Sequence, residues 1–338
     1  TPHRFFEARV QTIDLKKKIV KTDHGDVGYD YIILALGSGV NFFNTPGAAE
    51  HAETVRTLPE ALSLHKKILA LLESDRETIN ISIVGGGYTG VELAGQLGDF
   101  AHEEVSRLYP GKKLSIRIVE ANPSLANNLP LDFQKRITAR IQQLGIDILV
   151  NQRVQSVNKN SLTLGTLETI PSDITIWSAG VGNRAAEFLS DITMQKGCVM
   201  IDEFLRIKSM DDAYAVGDIA WGCNPGEEKP FPQLGEVAYH QGAFAAKHLV
   251  ATLLKKPSTQ PFIFKSKGTL MPVGDWYGVA KTGPFIWSGR MAWWLRRTIY
   301  VWYMPTFLRK LRIIIDWTLH SFGFRNTLNI APRDNNPR

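Results

Sequence analysis

The stretch ISIVGGGYTGVELAGQL, residues 81–97, constrains the fold of this chain more than any other feature. An apolar, β-forming run meets three glycines at Gly85, Gly87 and Gly90, and helical periodicity begins directly after them. Strand, glycine turn and helix in that order read as a dinucleotide-binding βα unit. Gly85 permits the tight turn. Gly87 removes the Cβ that would keep a pyrophosphate off the backbone, and Gly90 lets the helix lie close to the strand. Gly86, Tyr88 and Thr89 complete the turn, and the helix N-terminus offers N–H groups and a partial positive charge to the phosphates.

A GxGxxG alone is a weak signal. The following strand, LSIRIVE, strengthens it by ending on Glu120. A carboxylate there can accept from both ribose hydroxyls and would repel a 2′-phosphate, which selects NADH over NADPH. The gap from Gly90 to Glu120 exceeds the usual spacing of about 20 residues. The excess falls in HEEVSRLYPGKK, which reads as an elongated helix and a turn. A solvated charge at a strand end is the competing reading of Glu120.

The rest of the chain has α/β logic. The opening FFEARVQTIDLKKKIVKTDHGD reads as strands with turns between them, and the apolar run from Tyr31 to Leu36 as a fully buried strand ended by Gly37, Ser38 and Gly39. Helices are expected from about Leu58 to Glu73 and Asp132 to Leu144, with strands reaching Trp177 and a further strand and turn at AYAVGD. A chain of 338 residues, 44% hydrophobic, divides more naturally into two or three domains than into one. Cys198 and Cys223 are too few and too far apart for a disulfide framework. Each reads as a buried thiol in a reducing compartment, and no metal site is expected. The opening TPHRFFEARV is expected to carry no targeting signal.

Charge is unevenly placed. Residues 257–338 hold 12 Lys or Arg against 3 Asp or Glu, within a chain of formal net charge +6. The same region crowds Trp287, Trp293, Trp294, Trp302 and Trp317 among its basic residues. It has no nucleic-acid fold signature, so a nucleic-acid partner is not expected. No uncharged run approaches the roughly 20 residues that a spanning helix needs. From Pro305 onward apolar residues gather on one face, with Arg309, Arg312, Asp316 and His320 opposite. That is the pattern of a helix lying in a membrane interface, with 287–320 as the contact region. Packing against the protein's own core or a dimer partner is the alternative.

The strand ending LALGSG, the glycine unit closed by WSAGV at 177–181, and YAVGD at 214–218 follow the order and spacing of flavoproteins with two dinucleotide-binding domains. The chain resembles the pyridine nucleotide-disulfide oxidoreductase superfamily over essentially its whole length. The resemblance sharpens to the type II NADH:quinone oxidoreductases through VGGGYTGVELAGQL, RLYPGKKLSIRIVEA, TIWSAGV, AYAVGD, the Gln-Gly at 241–242, and KGTLMPVGDWYGVAKTG before the Trp-rich tail. The absence of a CxxC pair argues against the dithiol branch. In the superfamily a first GxGxxG near the N-terminus holds the FAD pyrophosphate. This chain contains no such motif, so the flavin-side βαβ unit is expected to be missing ahead of residue 1.

The resemblance implies two Rossmann-like domains, with a FAD domain interrupted by an NADH domain. Residues 1–76 and 198–256 form the FAD part, 77–197 the NADH part and 257–338 a membrane-association region. Ala35, Gly37, Gly217, Asp218 and Val237 would meet the flavin, with Asp218 on its ribityl chain. Ala179 and Gly180 would join the glycine turn around NADH. Glu92 would sit near the isoalloxazine and the nicotinamide, and helix-dipole complementation in a first turn is its plainer explanation. Glu236 and His240, spaced i, i+4, take positions that are usually Gln beside flavin and quinone. An acid and a base there could hand over protons as well as orient a quinone, and a surface ion pair is the alternative. The implied activity is electron transfer from NADH through FAD to a membrane quinone without proton pumping. The protein would be peripheral on a cytoplasmic or organelle-equivalent face, and the resemblance allows a homodimer. A soluble NADH-dependent flavin reductase and a non-enzymatic NADH sensor are the competing functions.

Overall fold

The computed structural model describes residues 4–182, 187–256, 259–266, 268–304 and 306–321. Its largest sheet is built on Thr78–Val84, whose sequence TINISIV buries Ile79, Ile81 and Ile83 completely. Five parallel strands run in the spatial order Ala52–Glu53, Ile174–Trp177, Thr78–Val84, Lys113–Val119, Asp147–Leu149. Helix α1 (Leu58–Leu72) starts at a capping box in which Thr57 and Glu60 satisfy each other's backbone N–H groups. Helix α2 (Tyr88–Phe100) follows the glycine turn, and helix α3 (Leu131–Gln143) covers the sheet further on. Leu64, Ile68 and Leu72 of α1, and Phe133, Ile137 and Ile141 of α3, recur every four residues and enter one core with the central strand. The elongated helix expected after the glycine motif is present: α2 runs into a π-helical turn at Ala101–Val105 and on to Leu108.

The sheet built on Thr78–Val84 draws in residues that precede position 77. Ala52–Glu53 and α1 already belong to the unit built on Thr78–Val84. The chain leaves that unit through Val181–Gly182, paired with Gly39–Val40, and Glu187–Phe188 then pairs with Val10–Asp14 of the other domain.

The other domain holds the antiparallel strands Val10–Asp14, Ile19–Thr22 and Gly25–Gly28, and the parallel pair Ile32–Leu34 and Ala213–Ala215. Helix α4 (Gly235–Leu253) contributes Val237 and Ala245 to its core beside Tyr214. The strand expected as fully buried from Tyr31 to Leu36 is shorter and only partly covered. Among the described residues Ile32–Leu34 pairs on one side alone, and Ile33 is 37% exposed. Cys198 is buried as expected, but Cys223, expected to be buried too, is exposed in an isolated bridge with Pro230.

The region expected to be wholly membrane-associating from 257 onward is divided. Phe262 and Phe264 pack in the core around Tyr214. The strands Thr269–Pro272, Gly278–Thr282 and Phe285–Gly289 form an antiparallel sheet whose Met271, Val273 and Val279 enter the core of the five-stranded domain. A buried carboxylate fastens it there: Asp99 of α2 accepts from Arg140 Nη2 of α3 at 2.9 Å and from the backbone N–H of Asp275 at 2.5 Å. Helices α5 (Arg290–Tyr303) and α6 (Phe307–Ser321) are the last described elements. Pro305 and the side chains of Leu319 and His320, named for the interfacial helix, lie outside the described residues. Among the described residues no helix is long and apolar enough to cross a membrane.

Candidate active site

The glycine turn has the geometry its three roles require. A Cβ on Gly90 would lie 1.9 Å from the carbonyl oxygen of Gly85, so only glycine lets α2 come this close to the strand end. Gly85 has φ +107°, and a Cβ there would meet the backbone of Ala179 at 2.7 Å. Gly87 caps α2 and faces open space, with no atom within 4 Å of where its Cβ would stand. The free N–H groups of α2 are therefore open to an anion at that point.

Glu120 is 8% exposed, which removes the reading of it as a solvated charge. Its Oε2 accepts from Gly86 N at 2.5 Å, and its Oε1 accepts from Asn122 N at 2.7 Å and from Asn122 Nδ2 at 2.6 Å. The carboxylate thus ties the strand end to the glycine turn. A carboxylate has about four acceptor positions, so one remains for a ribose hydroxyl.

A cleft of about 300 Å³ lies where the two domains meet. Thr89, Ser178 and Gly180 line it from the NADH side, and Ser38, Asp218 and Gln233 from the other. Ser38 Oγ donates to Asp218 Oδ2 at 2.8 Å, while Arg56 Nη2 donates to both oxygens of Ser38 at 2.7 Å. Asp218 stands in a 3-10 turn, Gly217–Ile219, that has no side-chain cap. The residue is therefore held by Ser38 and not spent on capping a helix. Gly217 N donates to Gln241 Oε1 at 2.7 Å, and Gln241 is fully buried with its Nε2 lacking any partner. A buried amide donor without an acceptor costs about 1–3 kcal/mol. That donor, with the Asp218 carboxylate and the backbone of Gly217 beside it, fits a flavin, which offers carbonyl acceptors and a polyol. Of the other expected flavin contacts, Gly37 has open space where a Cβ would be and Ala35 is exposed, whereas Val237 buries its side chain in the domain core.

Glu92 lies in the second turn of α2, past the first-turn positions where the helix dipole acts, so dipole complementation does not explain it. It stands i+3 from Thr89, on the face that carries this cleft residue. Burial pushes its carboxyl pKa up, and Arg296 of α5 opposes the shift. Burial likewise pushes the Tyr88 hydroxyl up. Glu236 and His240 share a face of α4 but form neither a hydrogen bond nor an ion pair with each other among the described residues, and neither lines the cleft. The His240 ring packs against Tyr239 and against Phe264, at centroid distances of 5.6 and 6.3 Å.

A family model described as pyridine nucleotide-disulphide oxidoreductase matches residues 3–242. The chain belongs to that family. Among its relatives is a probable NADH dehydrogenase of Dictyostelium discoideum, 26% identical, covering 93% of this chain and 74% of the relative. Another is the type II NADH:quinone oxidoreductase Ndh of Mycobacterium tuberculosis, 28% identical, covering 86% of this chain and 66% of the relative. The fold matches that of NDH2 from Plasmodium falciparum in complex with NADH, with a TM-score of 0.82 at 20% identity, covering 93% of this chain and 83% of that one.

Within this pyridine nucleotide-disulphide oxidoreductase, sequence reasoning missed Ser38, Arg56, Asn122 and Arg296. It quoted Gln241 in a motif without giving it a role. The Ser in GSG and the Arg before the Thr57 capping box were visible in the sequence, but nothing local says that either reaches Asp218. Gln241 was findable from the rarity of a glutamine on the buried face of a helix.

Proposed function

We propose that this chain carries the NADH-oxidising centre of a flavin-dependent NADH:quinone oxidoreductase that works at a membrane surface without pumping protons. One observation carries the reading: the residues of the glycine-turn domain and the Ser38–Asp218 pair line a single cleft, so two cofactors would meet there. The names of the Dictyostelium and Mycobacterium relatives support the same activity. The N-terminus of α2 and Gly87 receive the NADH pyrophosphate, and Glu120 takes an adenosine ribose hydroxyl. Asp218, Gly217 and Gln241 hold the flavin, which when bound supplies hydride acceptance and delivery of electrons to the quinone. Trp177 and Val40 give the cleft apolar walls that limit water. Glu236 and His240 stand outside this cleft, on the face of α4 where a quinone is received.

The tail sets the location. Trp302, Phe307 and Leu308 are 79, 76 and 77% exposed on two amphipathic helices rich in Arg and Lys. Such a surface suits the interface of a membrane on its cytoplasmic or organelle-equivalent side. NADH oxidation by the flavin-loaded protein with a panel of quinones, paired with vesicle flotation, tests the reading. Turnover with soluble acceptors but with no quinone would overturn it.

A further inference from the structure

Three indole rings and one guanidinium stack between the body of the protein and the last described helix. The Trp276 and Trp293 rings lie 4.4 Å apart at 27°. The Arg297 guanidinium carbon is 3.6 Å from the Trp293 ring centroid and 4.6 Å from that of Trp317. Trp276 follows the strand Thr269–Pro272, Trp293 and Arg297 are on α5, and Trp317 is on α6. Two indoles pack against the planar cation, and its N–H groups, which lie in the guanidinium plane, are what it offers to acceptors.

At that edge Arg297 Nη1 is buried and has no hydrogen-bond partner, and neither has Nε of the adjoining Arg296. Burial draws the Arg297 pKa down to about 10, with Asp275 pulling the other way and the like charge of Arg296 adding to the fall. Asp275 and Glu92 are the carboxylates that act on this pair, yet both N–H groups remain without acceptors. Desolvated charged donors of this kind call for an oxyanion, and a guanidinium edge matches phosphate by its fork geometry.

The surroundings narrow the choice of phosphate. Trp294, Trp302, Phe307 and Leu308 stand exposed on the same two helices, and Lys310 Nζ lies 5.5 Å from the Trp302 ring. A free phosphate has no use for those apolar side chains, whereas a phospholipid would lay its acyl chains against them. We infer that the N–H edge of Arg297, with Arg296 beside it, binds the phosphate of an anionic phospholipid headgroup. The inference rests on the membrane-surface reading and adds a defined site to it.

The test compares the flavin-loaded protein on three vesicles: neutral galactolipid, galactolipid with oleate, and galactolipid with phosphatidylglycerol at the same surface charge. Wild type is expected to bind the phosphatidylglycerol vesicles roughly tenfold more tightly than the oleate vesicles, the worth of one charged hydrogen bond. Arg297→Lys keeps the charge and should erase that ratio, while Arg309→Gln, at an exposed position, lowers binding to both anionic vesicles alike and keeps it. Equal wild-type affinity for the two anionic vesicles, or an unchanged ratio in Arg297→Lys, overturns the site. If wild type binds no vesicle, the membrane reading fails and the lipid site fails with it. Titration with inorganic phosphate, read by tryptophan emission, then tells whether a free-phosphate site stands in its place. Binding to all three vesicles without a phosphate preference keeps the membrane reading and sinks the site alone.

Discussion

Ser38 Oγ donates a 2.8 Å hydrogen bond to Asp218 Oδ2 across 180 positions of sequence. Ser38 in turn accepts from Arg56, so three separated segments converge on one carboxylate at the domain junction. Ser38→Ala leaves Asp218 without this donor and loosens its aim. Flavin affinity should fall about tenfold, as expected for one hydrogen bond to a charged group. Flavin content and a flavin titration check it, and an unaltered dissociation constant would remove Asp218 from the flavin site.

Two glycines of one turn should fail in different ways. Gly90→Ala drives a methyl into the Gly85 carbonyl, a backbone clash that nothing flexible can relieve, and stability should drop on the order of 3 kcal/mol. Gly87→Ala meets open space at φ −76° and should unfold within about 0.5 kcal/mol of wild type. Its NADH affinity should nevertheless fall at least roughly tenfold, because the methyl stands where the pyrophosphate approaches. Denaturant melts and NADH titrations of the two variants separate these outcomes.

Glu120→Gln and Glu120→Ser should narrow the ratio of kcat/KM for NADH over NADPH, since the carboxylate that repels a 2′-phosphate is gone. They should also destabilise the protein by about 1–3 kcal/mol, because Gly86 and Asn122 lose a buried acceptor. A lost melt with an intact cofactor preference would leave Glu120 a purely structural residue.

Burial raises the folded-state pKa of Glu92 above its unfolded value. The folded protein then holds that proton more tightly, so the group's contribution is most favourable below the unfolded pKa and is lost as pH rises through the folded one. Glu92→Gln should therefore raise the thermal midpoint more at pH 8 than at pH 5. Parallel melting curves across that range would place Glu92 in water.

If the unpaired Glu236 and His240 receive the quinone, His240→Gln and Glu236→Gln should change the KM for quinone several-fold, on the order of 1 kcal/mol. The KM for NADH should stay the same, because neither residue lines the cleft that NADH enters. Steady-state kinetics with each substrate varied in turn decides it. Equal effects on both constants would mean that the substitutions act through the fold.

Much of the NADH side was legible in the sequence because its determinants are local. The alternation in TINISIV, the three glycines and the four-residue spacing of Leu64, Ile68 and Leu72 act within one or two elements. Strand, turn and helix follow from them without knowledge of the rest of the chain. The sheet at 269–289 was not legible in this way. Its Met271, Val273 and Val279 fall in the region expected from the sequence to associate with a membrane, and only packing against α2 and α3, fastened by Asp99, joins them to the core of the five-stranded domain.

By itself, then, the sequence determined the glycine turn, the acid that ends the next strand, the α/β order and the basic, tryptophan-rich tail. Each of these follows from backbone sterics or from periodicity over a few residues. Only the tertiary structure decided what those groups touch: that Glu120 anchors Gly86, that Ser38 and Arg56 hold Asp218, that Gln241 buries a free donor, and that Arg297 packs against two indoles. It also decided that Glu236 and His240, one helical turn apart, do not pair. Helical spacing places two side chains within reach, but rotamer and solvation choose whether they meet, and those depend on neighbours far away in sequence.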